Sequence, residues 1–384
     1  MIIGVIGLGT VGYGVVDILC MEKERLSNYL NQEVVVKYGC AMEERDLPEG
    51  VLFTRDYKDV LNDPEVDVVV ELIGGTTIAK AIIMEAIEKG KHVVTANKAL
   101  IAHDGKEILL AANKNNVHVF YEAAVGGGIP VVTPQYESLV ANNIQEITGI
   151  LNGTTNFILS LMETDNLDFE EALTIADGLG YLEADPSLDI DGIDAAHKIA
   201  ILANNAFDGF VDFERLKPQG IRNVTKLDMD YAKKMGYRIK LIARAKKEND
   251  KYFVDVSPTL VSKNDMVANV MGAYNVVEFN CDYVENVLFY GKGAGRYVTA
   301  SAVVGDIIKV SQSYNWQYSN KTIENIYPIT KSKYYLRLDH AVDIDYEYYY
   351  SEKNVHIYIT KEIEIEQLQA LLKNEKYSSF KVRG

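Results

Sequence analysis

The feature that most constrains this chain lies at its N-terminal end. A short apolar run, residues 2–6, leads at once into Gly7-Leu8-Gly9-Thr10-Val11-Gly12. Next comes a segment with Val15, Val16, Leu19 and Leu26 at helix-like spacing. In such a turn the first glycine permits the sharp bend. The second lets backbone approach a pyrophosphate, and the third lets helix pack on strand. Helix N–H groups and the helix dipole then face the phosphates. The hexapeptide alone is weak, because a ligand-free glycine turn reads the same way. Its context is what counts. Apolar strands are expected over 34–42, 66–73, 92–96 and 117–123, with helices over 79–89 and 98–115 between them. Strands alternating with helices predict an α/β fold with a doubly wound parallel sheet. The nearly unbroken apolar run at 66–73 suits a parallel strand covered on both faces.

The alternation stops near Ala124-Val125-Gly126-Gly127-Gly128-Ile129-Pro130. Beyond it we expect a helix to about 141, a strand over 143–151, and helices from about 155, over 168–179 and over 193–207. Strands at 238–245, 251–258, 267–278 and 283–290, with a helix near 299–311, predict a second, α+β layer. The tail, 320–384, is tyrosine-rich at 346–350 and ends with a strand, a helix and a strand.

Composition narrows the function classes. The 55 acidic residues outnumber the 39 Lys and Arg, for a net charge of −16. Such a balance argues against a nucleic-acid backbone or an anionic membrane as partner. A small anion is still compatible with it, since local donors can oppose the global field. Cys20, Cys40 and Cys281 are too few and too scattered for a disulfide framework or a zinc site. They point to a reducing, cytoplasmic compartment. No apolar run reaches the ~18 residues of a membrane span. No basic segment precedes the N-terminal apolar stretch, and Asp17 interrupts the apolar residues beyond the glycine turn, so no signal peptide is expected.

Three further segments bear on chemistry. At the end of the second strand stand Met42, Glu43, Glu44 and Arg45. An acid there binds a ribose 2′-hydroxyl and a base accepts a 2′-phosphate, so Glu43 favours NAD and Arg45 favours NADP; a solvated loop is the third reading. Thr95-Ala96-Asn97-Lys98 closes an apolar strand at the end where open parallel sheets bind ligands. Lys98 there can neutralise a carboxylate or polarise a carbonyl, or can simply begin a helix. Residues 183–198 pack Glu183, Asp185, Asp189, Asp191 and Asp194 beside Lys198. Asp194 and Lys198 are spaced i,i+4 and share a helix face, as surface salt bridges also do. The functional reading is a site for a cationic substrate, with Lys198 as proton donor. A calcium site fits less well, because EF-hand spacing is absent. His197 reads as structural, and Trp316 and the tyrosines of 346–350 as packing.

Together these segments resemble homoserine dehydrogenases. The matching stretches are GLGTVGYGVV (7–16), ELIGG (71–75), HVVTANKALIA (92–102), YEAAVGGGIP (121–130), GILNGTTNFIL (149–159), GYLEADPSLDIDGIDAAHKIAIL (180–202), and GKGAG with TASAVVGDI (291–307). They run in family order. The TANK segment and the long acidic stretch are specific to the family; the first glycine turn is not.

The resemblance implies a Rossmann-type domain over 1–125 and an α+β substrate and dimerisation domain over 126–298. Then come a helix returning to the nucleotide domain over 299–319 and a shortened or diverged ACT-like appendage over 320–384. That appendage lacks the glycine-led first helix usual in such modules. The implied reaction is the NAD- or NADP-dependent interconversion of L-homoserine and L-aspartate 4-semialdehyde, a small-molecule substrate pair, by a homodimer. By the same resemblance Lys98, Lys198 and Asp194 are catalytic, and Glu183, Asp189, Gly153 and Thr154 bind substrate. Gly7, Gly9, Thr10, Val11, Gly12, Glu43, Gly74, Thr95, Asn97, Lys98 and Gly293 face the cofactor. A monovalent cation, Na+ or K+, is held chiefly by backbone carbonyls of Glu122, Val125, Gly127 and Ile129. Two departures stand out. Met42-Glu43 replaces the usual arginine and acid, which predicts a relaxed or reversed NADP preference. Arg296 comes just after the late glycine turn, offering a charge near the phosphates from another direction. A related amino-acid or semialdehyde dehydrogenase and a non-catalytic dinucleotide-binding regulator are the alternative readings.

Overall fold

The computed structural model describes residues 1–182, 185–248, 251–312, 318–323, 326–327, 329, 331–373 and 375–383. Contacts divide the chain into two compact units. The first joins Met1–Asn143, Ala200–Phe213 and Gly291–Ile323; the second joins Ile144–Ile199, Glu214–Tyr290 and Glu324–Gly384.

In the first unit, β1 (Ile2–Ile6), β2 (Val35–Cys40), β3 (Leu52–Thr54), β4 (Val68–Glu71), β5 (His92–Thr95) and β6 (Val119–Phe120) form one sheet. Its order is β3-β2-β1-β4-β5-β6, and each pairing is parallel. The order reverses between β1 and β4, the switch point beyond which such sheets bind ligands. Val68, Val69 and Val70 are fully buried, as a strand with both faces covered requires. The helices α1 (Thr10–Met21), α2 (Thr77–Glu88) and α3 (Lys98–Asn115) come after β1, β4 and β5. A later helix, Arg296–Val310, packs Ala300, Val303 and Ile307 into the same core as Val15, Val16 and Leu19 of α1.

The helix expected to reach about 141 is a single turn, Thr133–Tyr136. Its start is fixed by tertiary contact: the Glu122 carboxylate accepts the N–H groups of Val131, Val132 and Thr133, which a helix leaves unpaired in its first turn.

The second unit is built on a mixed sheet. Its main path runs Asn286–Lys292, Tyr274–Cys281, Ile144–Ile150, Tyr237–Glu248, Lys251–Ser262, Tyr377–Arg383, Lys331–Leu338, Val355–Thr360, Tyr346–Glu352. Here α4 (Gly153–Thr164) comes after the strand Ile144–Ile150, and α5 (Ile193–Ala206) begins just after the acidic stretch. The strand expected from 267 starts at Tyr274, because Met266–Asn269 is a 3-10 turn capped by Asp265. The tail strands join this sheet directly. Thr259, Leu260 and Val261 pair in parallel with Lys381, Val382 and Arg383, and Tyr252 and Phe253 with Ile326 and Tyr327, whereas Lys331–Leu338 pairs antiparallel with Tyr377–Arg383 and Val355–Thr360, and Val355–Thr360 with Tyr346–Glu352. No helix lies between Lys331–Leu338 and Tyr346–Glu352; the helix Ile365–Leu371 buries Leu368 against Tyr334, Leu336 and Tyr358. Tyr346 is 48% exposed on the edge strand, so the tyrosine cluster is less packed than expected. Trp316 lies outside the described residues. Among the described residues no helix is long and apolar enough to cross a membrane.

Candidate active site

The glycine turn after β1 has the geometry its sequence demands. Gly7 has φ +102°, and a Cβ there would lie 2.5 Å from the Leu72 carbonyl carbon. A Cβ on Gly12 would lie 1.8 Å from the Gly7 oxygen, so helix and turn touch only because both are glycines. Gly9 caps α1, with nothing within 4 Å of an added Cβ. No side chain caps α1 and no acid stands in its first turn, where Thr10 and Val11 lie. Open space in front of uncapped amides, at the positive end of a twelve-residue helix, suits a dinucleotide pyrophosphate.

The adjoining strand ends are organised by a carboxylate that sequence patterning does not single out. Glu71, the last residue of β4, is fully buried. It accepts the Ile73 N–H at 2.8 Å and the Thr95 hydroxyl at 2.7 Å. Burial raises its pKa, and those hydrogen bonds oppose the rise. Asn97 caps α3 by accepting the Leu100 N–H, while its Nδ2 donates to the Gly75 carbonyl. Glu71, Thr95 and Asn97 thus tie the turn holding Gly74 to the start of α3, where Lys98 is the first residue. An acid closing an otherwise apolar parallel strand is the signal that could have found Glu71.

Glu43 is highly exposed and pairs with Arg45 at 3.5 Å, and Glu44 pairs with Arg55 at 3.3 Å. Arg296 is ion-paired with Asp17 and lies over the rings of Tyr13 and Tyr297, at 5.0 and 5.1 Å. It is therefore engaged in holding its helix to α1. Gly293 sits against the glycine loop: a Cβ on Gly127 would meet its carbonyl oxygen at 2.4 Å. Of the loop's other candidates, Val125 and Ile129 are buried, and Glu122 directs its carboxylate to three backbone amides. The Glu122 N–H donates to Asp306 at 2.7 Å, and Lys309 donates to Asp306 at 3.0 Å and to Thr133. Burial, the largest cause, pushes the Asp306 carboxyl up to about 7; the Glu122 charge adds to the shift, while Lys309 and the Glu122 N–H work against it.

In the second unit the acidic stretch divides its carboxylates between tasks. Asp185 accepts the Ser187 N–H, and Asp191 pairs with Arg222 at 2.5 Å. Glu183 lies outside the described residues. Asp189 and Asp194 converge on Asn152, whose Nδ2 donates to Asp189 Oδ1 at 2.7 Å and to Asp194 Oδ2 at 2.9 Å. Lys198 donates to the same Asp194 oxygen at 2.7 Å and to the Leu151 carbonyl at 2.8 Å. This pair is not a surface bridge: the Lys198 and Asp194 side chains are 12% and 4% exposed. Gly153 and Thr154 begin α4 right after Asn152. Gly153 fits there because a Cβ would lie 2.8 Å from the Ala273 carbonyl oxygen. Thr154 donates to the Tyr181 carbonyl. His197 is buried. Among the described residues no group of three or more His, Cys, Asp or Glu side chains could hold a metal ion.

The first unit thus offers an uncapped helix start and a hydrogen-bonded carboxylate, and the second a largely buried lysine paired with Asp194, and an asparagine between Asp189 and Asp194. A profile described as homoserine dehydrogenase, NAD binding domain, matches residues 7–122, and one described as homoserine dehydrogenase matches 130–308. A homoserine dehydrogenase of Synechocystis sp. is 45% identical over 340 residues, covering 86% of this chain and 78% of its own. The crystal structure of a homoserine dehydrogenase from Thiobacillus denitrificans superposes with TM-score 0.93 at 36% identity, covering 100% of this chain and 98% of that one. A hyperthermophilic archaeal homoserine dehydrogenase mutant in complex with NADPH aligns with TM-score 0.66 at 25% identity, over 82% of this chain and 98% of its own. These matches favour neither alternative reading. The chain is an NAD(P)-binding oxidoreductase and belongs to the homoserine dehydrogenase family.

Proposed function

We propose that this chain interconverts L-homoserine and L-aspartate 4-semialdehyde through the buried Lys198–Asp194 pair, with Asp189 reading the substrate's ammonium group. The observation that carries this reading is the convergence of Lys198, Asp194, Asn152 and Asp189 in the second unit. When bound, the nicotinamide supplies or accepts the hydride. The protein's part is proton transfer, charge and orientation. In the reducing direction the Lys198 ammonium donates its proton to the carbonyl oxygen as that oxygen becomes a hydroxyl; oxidation returns the proton to the amine. Asp194 and the Leu151 carbonyl fix the direction of that ammonium. Asp189 takes the substrate amine by a charge-assisted hydrogen bond, and Glu183 is assigned the same part by its place in the sequence. Lys98, opening α3, supplies positive charge for the reacting oxygen or the substrate carboxylate.

The test is Lys198→Ala. Its kcat on L-homoserine should fall about a thousandfold, within the range for loss of a general acid, while dinucleotide affinity is unchanged. Full activity in that variant would refute the assignment.

Further parts belong to the same proposal. Met42 and Glu43 follow β2, and Arg45, Arg55 and Arg296 are each paired to an acid, which weakens the pull on a 2′-phosphate. NAD should therefore serve at least as well as NADP. A large NADP advantage in kcat/KM would count against this. A monovalent cation would rest on main-chain carbonyls of the 122–129 loop, hard oxygen donors of the kind such ions prefer. The working form is a homodimer in the cytoplasm.

A further inference from the structure

Asn152 does more than begin a helix. Its Oδ1 accepts the Thr155 N–H at 2.8 Å, an ordinary N-cap contact. Asp, Ser and Thr cap about as well, and none of them needs an amide nitrogen. Yet the Nδ2 group gives one contact to Asp189 and one to Asp194, two carboxylates of different helices. Asn152 itself is only 5% exposed, so water is a poor substitute for either contact.

Two carboxylates this close favour protonation of one of them. A cationic side chain between them would keep both ionised but cancel the charge that a substrate amine must find. A hydroxyl has one proton and can serve only one of the two. A primary amide has two protons and no net charge. It can hold both acids in place and leave both anionic.

We propose that Asn152 is the positioning residue of the substrate pocket. It keeps Asp189 and Asp194 as a pair of anions, so that Asp189 meets the substrate ammonium while Asp194 anchors Lys198. This rests on the function proposed above and adds to it the residue that sets the charge of the site.

The experiment compares Asn152→Ser and Asn152→Asp with the parent protein, measuring L-homoserine kinetics, dinucleotide affinity and thermal unfolding. Both replacements are good caps, so both should bind dinucleotide normally, while the lost buried contacts lower the unfolding temperature modestly, more in Asn152→Asp than in Asn152→Ser. In Asn152→Ser the KM for homoserine should rise about tenfold, the scale of one hydrogen bond to a charged group. Its kcat should fall less, because Lys198 keeps Asp194 and the Leu151 carbonyl. In Asn152→Asp both donors are replaced by a third acid, and KM should rise about a hundredfold. The order Asn, Ser, Asp in kcat/KM is one that helix capping does not produce. Unchanged KM in both variants, or a rise in KM matched by an equal loss of dinucleotide affinity, would overturn the proposal. A parent protein that does not turn over homoserine would instead sink the underlying assignment, and this inference with it.

Discussion

Two asparagines open helices in the two units, and they make an instructive pair. Asn97 accepts the Leu100 N–H and Asn152 accepts the Thr155 N–H, so the backbone task is the same. The other end of each amide differs. Asn97 donates to a main-chain carbonyl, that of Gly75, and its amide also reaches the one carboxylate of Glu71; Asn152 donates to two carboxylates. The nucleotide side of the enzyme is thus made largely of backbone: glycines, uncapped amides and loops tied to the buried Glu71. On the proposed assignment the substrate side is made of acidic, basic and amide side chains. A dinucleotide brings its own charge and needs amides aimed at it. A small amino acid brings an ammonium and needs anions held ready.

This contrast can be tested from both sides. The largest effect should come from Gly12→Ala. The added methyl collides with the Gly7 oxygen, main chain that cannot swing away. Dinucleotide affinity should fall about a hundredfold, the ~3 kcal/mol that overpacking a tight contact costs. Unchanged binding by titration would mean that the backbone is not what shapes this side.

A smaller effect is expected at Asp306, where the first unit does bury charge. Its carboxyl is pushed up to about 7 in the fold, against ~4 for an ordinary aspartate. The folded state therefore holds the proton more tightly than the unfolded chain. The resulting stabilisation is full below the ordinary value and is lost as pH rises towards 7. Asp306→Asn should abolish that trend, so the parent's advantage in urea midpoint over the variant should shrink between pH 5 and pH 8. A constant difference would show that Asp306 stays ionised throughout. The smallest effect belongs to Asn97→Ser. Serine keeps the cap and loses the amide's contacts with the Gly75 carbonyl and with Glu71, so cofactor KM should change by about threefold or less. A change as large as that in Asn152→Ser would erase the distinction between the two caps.

Much of the first unit was legible in the sequence because its determinants are local. The run from β1 through Gly12, the alternation of apolar strands and helices, and the TANK segment each declare themselves within a few residues. In the second unit the i,i+4 spacing of Asp194 and Lys198 was legible, but spacing cannot separate a surface pair from a buried one. Only the fold brings Asn152 across to Asp189 and Asp194. The contacts of Asp17 with Arg296, and of Glu122 with Asp306, join still more distant parts of the chain. Some local signals went unused. The helix Lys226–Lys234 begins with a capping box, Thr225 with Asp228, that its sequence displays. The tail's place in the main sheet was not readable, since strand order rests on pairings such as Leu260 with Val382.

The most direct measurement compares L-homoserine with 4-hydroxybutanoate, the same alcohol and carboxylate without the amine, as substrates of the purified protein with NAD and with NADP. If Asp189 and its partners read the ammonium group, homoserine is oxidised and the amine-free alcohol is turned over at least a hundredfold less efficiently, the discrimination expected when a buried charged partner is left unmatched. Equal turnover of the two, or turnover of 4-hydroxybutanoate alone, would contradict the account.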